Sequence, residues 1–136
     1  MAGELILIVE DTEKNLKLVR DLLQFKGYRT LEARTAEEGI VLARAHVPDL
    51  ILMDIQLPGM DGVTALQHLV ADSSTAAVPV IALTAFAMAG DRERLLDAGF
   101  KGYIAKPINV REFPEQVRQF LSGDDQRRTI NDQQGM

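Results

Sequence analysis

Side chains that can take part in chemistry follow four short, mostly apolar segments of the sequence. They are Glu10 and Asp11 after residues 5–9, Asp54 after residues 50–53, Thr84 after residues 78–83, and Lys106 after residues 101–105. The set contains three carboxylates, one hydroxyl and one ammonium group. Carboxylates that converge repel one another, and Mg²⁺ prefers oxygen ligands of this kind. The pattern therefore predicts a magnesium site if the fold brings these segment ends together.

The same residues predict a particular reaction. A carboxylate such as that of Asp54 can act as a nucleophile and form an acyl phosphate. Phosphoryl transfer depends mainly on positioning and on neutralising the phosphoryl oxygens. Lys106 can supply a compact positive charge, and Thr84 can supply a hydroxyl donor. The residue types therefore predict that Asp54 accepts a phosphoryl group.

The segments between these positions predict alternating strands and helices. Predicted strands cover residues 5–9, 28–33, 50–53, 78–83 and 101–105, with a helix after each. This alternation predicts an α/β fold with a five-stranded parallel sheet and five helices. From the residues alone, two doubly wound strand orders stay open, the dinucleotide-binding order and the flavodoxin-like order 2-1-3-4-5. In such sheets ligands bind at the carboxyl ends of the strands, which is where the polar side chains stand.

The end of the sequence predicts one last helix and a polar tail. The helix is expected at about Val110–Leu121, with Asn109 and Glu112 as a capping box and Pro114 forcing a later start or a bend. We expect one domain over residues 1–121. Residues 122–136 have few apolar side chains and are expected to form a flexible tail.

Composition narrows the possible functions. The chain has 136 residues, no cysteine and a formal charge of −5, which excludes disulfides and thiolate metal sites and disfavours a nucleic-acid surface. The start carries no basic segment ahead of an apolar one, and no apolar run reaches the roughly 20 residues of a membrane helix. We therefore expect a cytoplasmic protein without direct contact to membranes or nucleic acid.

Four segments of the chain resemble the receiver domain family of two-component response regulators. These segments are IVED at 8–11, PDLILMDIQLPGMDG at 48–62, VIALTA at 80–85 and YIAKP at 103–107. The resemblance covers about residues 5–121. The stretch TAFAMAGD at 84–91 is most similar to DivK-type single-domain regulators and to receivers of hybrid sensor kinases. The resemblance as a whole implies a CheY-like, flavodoxin-like doubly wound fold with strand order 2-1-3-4-5.

The resemblance also implies a role for each site residue. Asp54 would be the phospho-acceptor. Mg²⁺ would be held by Glu10 (through water), Asp11, Asp54 and the backbone carbonyl of Gln56. The phosphoryl group would be contacted by Thr84, Ala85 and Lys106, the switch residues would be Thr84 and Tyr103, and the peptide bond before Pro107 would be cis. The family's first acidic position is often aspartate, where this chain has Glu10.

The family also implies partners. A sensor histidine kinase or a histidine phosphotransfer protein would supply the phosphoryl group, and a downstream protein would bind the surface of the fourth helix, fifth strand and fifth helix. The chain would be a monomer or a phosphorylation-dependent homodimer. Like its relatives, it would assist its own Mg²⁺-dependent phosphorylation and dephosphorylation without being an enzyme acting on other molecules.

Three other functions compete with this interpretation. A nucleotide- or flavin-binding enzyme should have a glycine-rich turn after the first strand, where this chain has Glu10 and Asp11. An aspartyl phosphatase should resemble its class in an Asp-x-Asp motif on the first strand, and this motif is absent. A pure interaction module would not need the full set of acids, threonine and lysine.

Several residues also have simple structural interpretations. Glu10 and Asp11 could be helix N-terminal charges, and Thr84 could be a cap. Tyr103 could be half-buried packing. Phe86, Ala87 and Met88 could be core or a partner-facing surface, and His46 and His68 are expected to be ordinary surface residues.

Overall fold

A computed structural model describes residues 3–85 and 89–122. Strands and helices alternate along it: β1 Leu5–Val9, α1 Glu13–Phe25, β2 Arg29–Ala33, α2 Ala36–His46, β3 Leu50–Asp54, α3 Gly62–Ala71, β4 Val80–Thr84, α4 Ala89–Ala98, β5 Gly102–Ala105 and α5 Phe113–Ser122. The proposed tail lies outside the described residues apart from Ser122, which ends α5. Phe86, Ala87 and Met88 also lie outside them.

All five strands form one parallel sheet in the order β2-β1-β3-β4-β5. This confirms the flavodoxin-like order, and the dinucleotide-binding order is wrong. In this order β1 and β3 are direct neighbours, with Ile6 opposite Leu50 and Val9 opposite Met53. The residues that follow these two strands must therefore lie side by side.

Helices cover both faces of the sheet. One face packs on α1 and α5 through Leu16, Val19, Leu23, Phe113, Val117 and Phe120. The other face packs on α2, α3 and α4 through residues that include Ile40, Leu66 and Leu95. Alternate residues of β1 enter the two cores, Ile6 and Ile8 on one face and Leu7 and Val9 on the other. Burial on both faces explains why the central strands are continuously apolar.

Several element ends differ from the sequence-based prediction. α5 begins at Phe113 because the Asn109 side chain accepts the backbone N–H groups of Arg111 and Glu112 at 3.0 and 3.1 Å, which holds a separate turn before the helix. Pro114 then lies in the first helical turn, where its missing N–H costs little. β4 begins at Val80, since the backbone N–H of Val78 donates to Thr75 in the preceding loop.

The helices begin and end with local capping interactions. Thr35 caps α2 by accepting the backbone N–H of Glu38, and Asp61 caps α3 by accepting that of Thr64 at 2.8 Å. The C-cap of α2 is unusual, because Val47 has φ 43° and ψ 71°. This left-handed conformation is strained for a β-branched residue.

Candidate metal centre

Three carboxylates converge at the carboxyl edge of the sheet. Glu10 and Asp11 directly follow β1, and Asp54 is the last residue of β3. One carboxylate oxygen from each of the three residues lies within 4.8 Å of the other two. The predicted convergence of acidic side chains from two neighbouring strands is therefore present in the structure.

These carboxylates are largely withdrawn from water. Glu10 is fully buried, Asp54 is 3% exposed and Asp11 is half-buried. Burial raises the pKa of Glu10, opposed by its contact with Lys106, and the negative charge of Asp54 raises it further. The buried Glu10 Oε1 accepts no hydrogen bond of good geometry. A buried, incompletely satisfied oxygen among three hard oxygen donors is chemically suited to Mg²⁺.

Lys106 bridges two of the carboxylates. Its Nζ atom lies 3.0 Å from Glu10 Oε1 and 3.1 Å from Asp54 Oδ2. The contact with Glu10 is an ion pair rather than a well-directed hydrogen bond. Burial alone would lower the pKa of Lys106, but the contacts with both carboxylates outweigh it and raise the pKa. Lys106 is therefore a fixed positive charge beside Asp54.

The local backbone holds both acidic residues in place. The backbone N–H of Thr12 donates to Glu10 Oε2 at 3.1 Å, and the backbone N–H of Gln56 donates to Asp54 Oδ1 at 2.9 Å. Beyond the strand ends, the N–H of Ile55 donates to Leu83 O of β4. The carboxylates are thus held by the first residues of the loops that follow their strands.

The other predicted site residues lie on or directly after β4 and β5. Thr84 is buried at the end of β4, and its backbone oxygen accepts the N–H of Lys106 at 2.8 Å. Ala85 is exposed directly after it. The Lys106–Pro107 peptide bond is cis. Four strand ends, those of β1, β3, β4 and β5, therefore meet around Asp54.

Tyr103 lies further from the strand end. It is half-buried against the core under α2, α3 and α4, opposite Ala82 of β4. Thr84 pairs with Ala105, two residues further on. Since residues two apart on a strand share a face, Thr84 and Tyr103 project from the same face of the sheet.

The structure also adds features that the residue types did not indicate. Gly62 packs against the backbone of Asp54, although the sequence marked it only as a turn former. A groove of about 470 Å³ runs between α1 and the segment after β5, lined by Lys14, Lys17, Leu18, Asp21, Pro107 and Ile108. No sequence pattern predicts the Gly62 contact or the groove, because both depend on how separate elements pack.

The two histidines do not join the site. His46 and His68 are exposed on α2 and α3. Among residues 3–85 and 89–122, neither belongs to a cluster of possible metal ligands, whereas Glu10, Asp11 and Asp54 do. In this part of the chain no helix combines the length and the apolar character needed to cross a membrane.

The sequence is similar to known signalling proteins along most of its length. Residues 6–118 match the response regulator receiver domain family. The polar-differentiation response regulator DivK of Brucella ovis is 49% identical over 116 residues, which are 85% of this chain and 94% of that protein.

Solved structures share the fold. The receiver domain of the sensor histidine kinase PA1611 from Pseudomonas aeruginosa, crystallised with a magnesium ion coordinated in its active-site cleft, has a TM-score of 0.81 and 36% identity, covering 90% of this chain and all of that one. The chemotaxis response regulator CheY4 of Vibrio cholerae has a TM-score of 0.81 at 22% identity, covering 86% and 98%, which supports the fold alone.

Proposed function

Because this chain belongs to the response regulator receiver domain family of two-component signalling, whose members are phospho-acceptor domains, we propose that Asp54 is its phospho-acceptor. One observation carries the proposal. Asp54 ends a central strand with its carboxylate 3.1 Å from Lys106 Nζ and inside the cluster formed with Glu10 and Asp11. A nucleophile, a fixed cation and a hard-metal donor set thus occupy one strand-end site.

We propose Mg²⁺ as the cofactor. Asp11, Asp54 and the backbone carbonyl of Gln56 would hold it, with Glu10 acting through water. The support is the chemistry of the donors, the incompletely satisfied Glu10 Oε1 and the magnesium ion in the cleft of the PA1611 receiver. When bound, the ion neutralises the carboxylates and draws charge from the phosphoryl oxygens.

The chain's own residues carry the transfer step. An Asp54 carboxylate oxygen forms a bond to phosphorus while the bond between phosphorus and the donor histidine nitrogen breaks. The electron pair of that bond stays on the imidazole nitrogen. Lys106 Nζ, the Thr84 hydroxyl and the backbone of Ala85 would contact the phosphoryl oxygens and stabilise their charge. The same groups would assist hydrolysis, in which water replaces the Asp54 oxygen on phosphorus.

Phosphorylation would then switch a partner-binding surface. The phosphoryl group carries about 1.5 to 2 negative charges, and because it replaces the single charge of the Asp54 carboxylate, the site gains about one negative charge. Thr84 would move toward the new oxygens, and Tyr103, on the same face of the sheet, would turn inward. The change would alter the surface formed by α4, β5 and α5 and its affinity for a downstream protein. We propose that this reaction takes place in the cytoplasm and that the chain is a monomer or a phosphorylation-dependent homodimer.

We propose that the phospho-donor protein docks in the groove beside the site. The groove lies next to Lys106, since Pro107 and Ile108 line it together with Leu18 of α1. The rim carries Lys14, Lys17 and Asp21, and because Asp21 and Lys17 are ion-paired with each other at 2.6 Å, these three residues leave one net positive charge. We propose that a helix of the histidine-bearing donor, with acidic residues at its edge, lies in this groove.

The donor groove can be tested apart from the chemistry. Leu18→Glu should lower the rate of transfer from a phosphohistidine protein about tenfold, because it places a buried charge in the contact. Phosphorylation by acetyl phosphate, which needs no groove, should be unchanged. Val41→Glu on the opposite side of the sheet serves as the matched control. Equal transfer rates for the Leu18 and Val41 variants would contradict this site of docking.

The phospho-acceptor itself is tested by intact mass. The chain is incubated with acetyl phosphate and Mg²⁺, and we expect one added phosphoryl group. Asp54→Asn should show none, while Asp97→Asn, at an exposed aspartate of α4, should be modified like the wild type. An adduct that persists in Asp54→Asn, or a wild-type chain that stays unmodified, would overturn the proposed function.

A further inference from the structure

The first residue of α3 presses against the backbone of the proposed phospho-acceptor. Gly62 is buried, and its N–H donates to the carbonyl oxygen of Ile55 at 3.1 Å. A Cβ atom at Gly62 would lie 2.4 Å from the carbonyl oxygen of Asp54 and 3.0 Å from the Cα atom of Ile55. Both obstacles are main-chain atoms, which cannot rotate away as a side chain can.

The contact of Gly62 with Asp54 and Ile55 joins the two ends of the loop 55–61, which carries part of the site. Residues 55–61 leave the end of β3 and return to it, so that α3 starts where the loop began. At the start of this loop, the N–H of Ile55 is anchored on β4 and the N–H of Gln56 is bonded to Asp54 Oδ1. A shift that makes room for a Cβ must therefore move the Asp54 main chain, the following loop with the Gln56 peptide, or the first turn of α3, and the last of these breaks the bond from the Gly62 N–H to Ile55.

We propose that Gly62 is a positioning residue for the phosphoryl site: its lack of a side chain lets α3 pack on the Asp54 carbonyl and fixes the loop bearing the Gln56 peptide. The role rests on the proposed function of Asp54, which it deepens. Gly62 is not among the residues proposed to hold the metal or to contact the phosphoryl group. It acts through the orientation of the Asp54 carboxylate and of the Gln56 carbonyl.

Two other crowded glycines give a contrast. A Cβ at Gly102 of β5 would lie 2.4 Å from the ring of Phe120, and one at Gly39 of α2 would lie 2.8 Å from the Val9 side chain. There the obstacle is a side chain of the core, so the expected loss is one of packing. Gly102 stands at the opposite end of its strand from Lys106. A substitution there provides a matched steric control.

The test compares Gly62→Ala with Gly102→Ala in three measurements. Affinity for Mg²⁺ is measured by calorimetry without any phosphodonor, phosphorylation is followed with acetyl phosphate at saturating Mg²⁺, and unfolding is followed in urea. We expect Gly62→Ala to lose about tenfold or more in Mg²⁺ affinity or in phosphorylation rate, since small misplacements at a reacting centre are costly. Gly102→Ala should lose stability and keep both values within about twofold of wild type.

A measurement without metal distinguishes displacement of the Gln56 peptide from a general loss of stability. In chelator, the amide NMR signal of Gln56 reports its bond to Asp54 Oδ1, and it should move in Gly62→Ala and stay in place in Gly102→Ala. If Gly62→Ala does not fold, Asp61→Ala replaces it, because it removes the cap that holds the first turn of α3 without adding bulk. That variant should move the same signal and weaken Mg²⁺ binding a few-fold.

The outcomes separate the two proposals. A wild-type chain that is not phosphorylated refutes the role of Asp54, whereas the calorimetry and the NMR signal still test Gly62. Wild-type Mg²⁺ affinity, phosphorylation rate and Gln56 signal in a folded Gly62→Ala chain would overturn the positioning role alone. An equal loss of site properties in Gly102→Ala would also overturn it.

Discussion

At the scale of single residues, the site has more negative charge than its cation can balance. Lys106 Nζ contacts one oxygen each of Glu10 and Asp54, and Asp11 adds a third carboxylate nearby. Buried charges are stable only when they are paired and hydrogen-bonded. The arrangement is therefore a site in which a further positive charge lowers the free energy of the folded chain.

The first prediction follows from this imbalance. Glu10→Gln should raise the free energy of unfolding in the absence of divalent metal by about 1 kcal/mol, the scale of one charge contact, because Lys106 and Asp54 then form a one-to-one pair. Urea unfolding in chelator measures the effect. Glu37→Gln, at an exposed glutamate of α2, should change stability little. A Glu10→Gln chain that is less stable than wild type would show that Lys106 needs both acids.

The identity of the site residues could be predicted from the sequence, whereas the backbone contacts that hold them in position could not. Glu10, Asp54 and Lys106 were identifiable because each follows a segment that must be a strand, and parallel strands end at the same edge. The contact of Gly62 with the Asp54 carbonyl depends on the path of a whole loop. A glycine that avoids a steric clash looks, in sequence, like a glycine in any turn.

At the scale of elements, the boundaries reflect local competition for backbone hydrogen bonds. Val78 is apolar and was placed in a strand, but its N–H is bonded to Thr75. α4 begins at Ala89, where the small residues Ala89 and Gly90 give no periodic apolar pattern that would mark its start in the sequence. The hydrophobic pattern of the sequence predicts which helices and strands exist, because burial along them is periodic. It does not predict the first residue of each element, because that residue is set by single local hydrogen bonds.

One helix end is held in a conformation that its residue disfavours. Val47, half exposed at the C-cap of α2, has positive φ. Val47→Asn should increase the free energy of unfolding by about 1 kcal/mol, because asparagine adopts the left-handed region more readily. Urea unfolding tests this against Val41→Asn, an exposed helical valine of α2 at which no gain is expected. Equal effects of the two substitutions would mean that backbone strain at Val47 is negligible.

At the scale of the whole molecule, the site exists only when distant segments are packed together. The acidic cluster needs β1 beside β3, and the position of Lys106 needs β5 beside β4. The unfolded chain offers no such cluster. Binding of the proposed Mg²⁺ at this site would therefore be coupled to global folding.

This coupling gives a prediction for metal removal. Mg²⁺ at about 100 times its dissociation constant should stabilise the folded chain by about 2.7 kcal/mol, and excess chelator should reverse the effect. Thermal unfolding with and without Mg²⁺ measures it. Asp54→Asn and Asp11→Asn should each reduce the shift in melting temperature, whereas Asp97→Asn should leave it unchanged. An Mg²⁺ response that is the same in all three variants would place the ion elsewhere.

The strand order has a consequence for synthesis of the protein. β5, which is followed by Lys106, forms the far edge of the sheet and is the last strand to be made, while Glu10 and Asp11 are made near the beginning. A nascent chain on the ribosome, or a proteolytic fragment that stops before β5, lacks Lys106, the residue that contacts Glu10 and Asp54 in the folded sheet. Under the function proposed above, such a chain would lack the cation that neutralises the phosphoryl oxygens. The site is therefore assembled only after β5 has been made and has paired with β4.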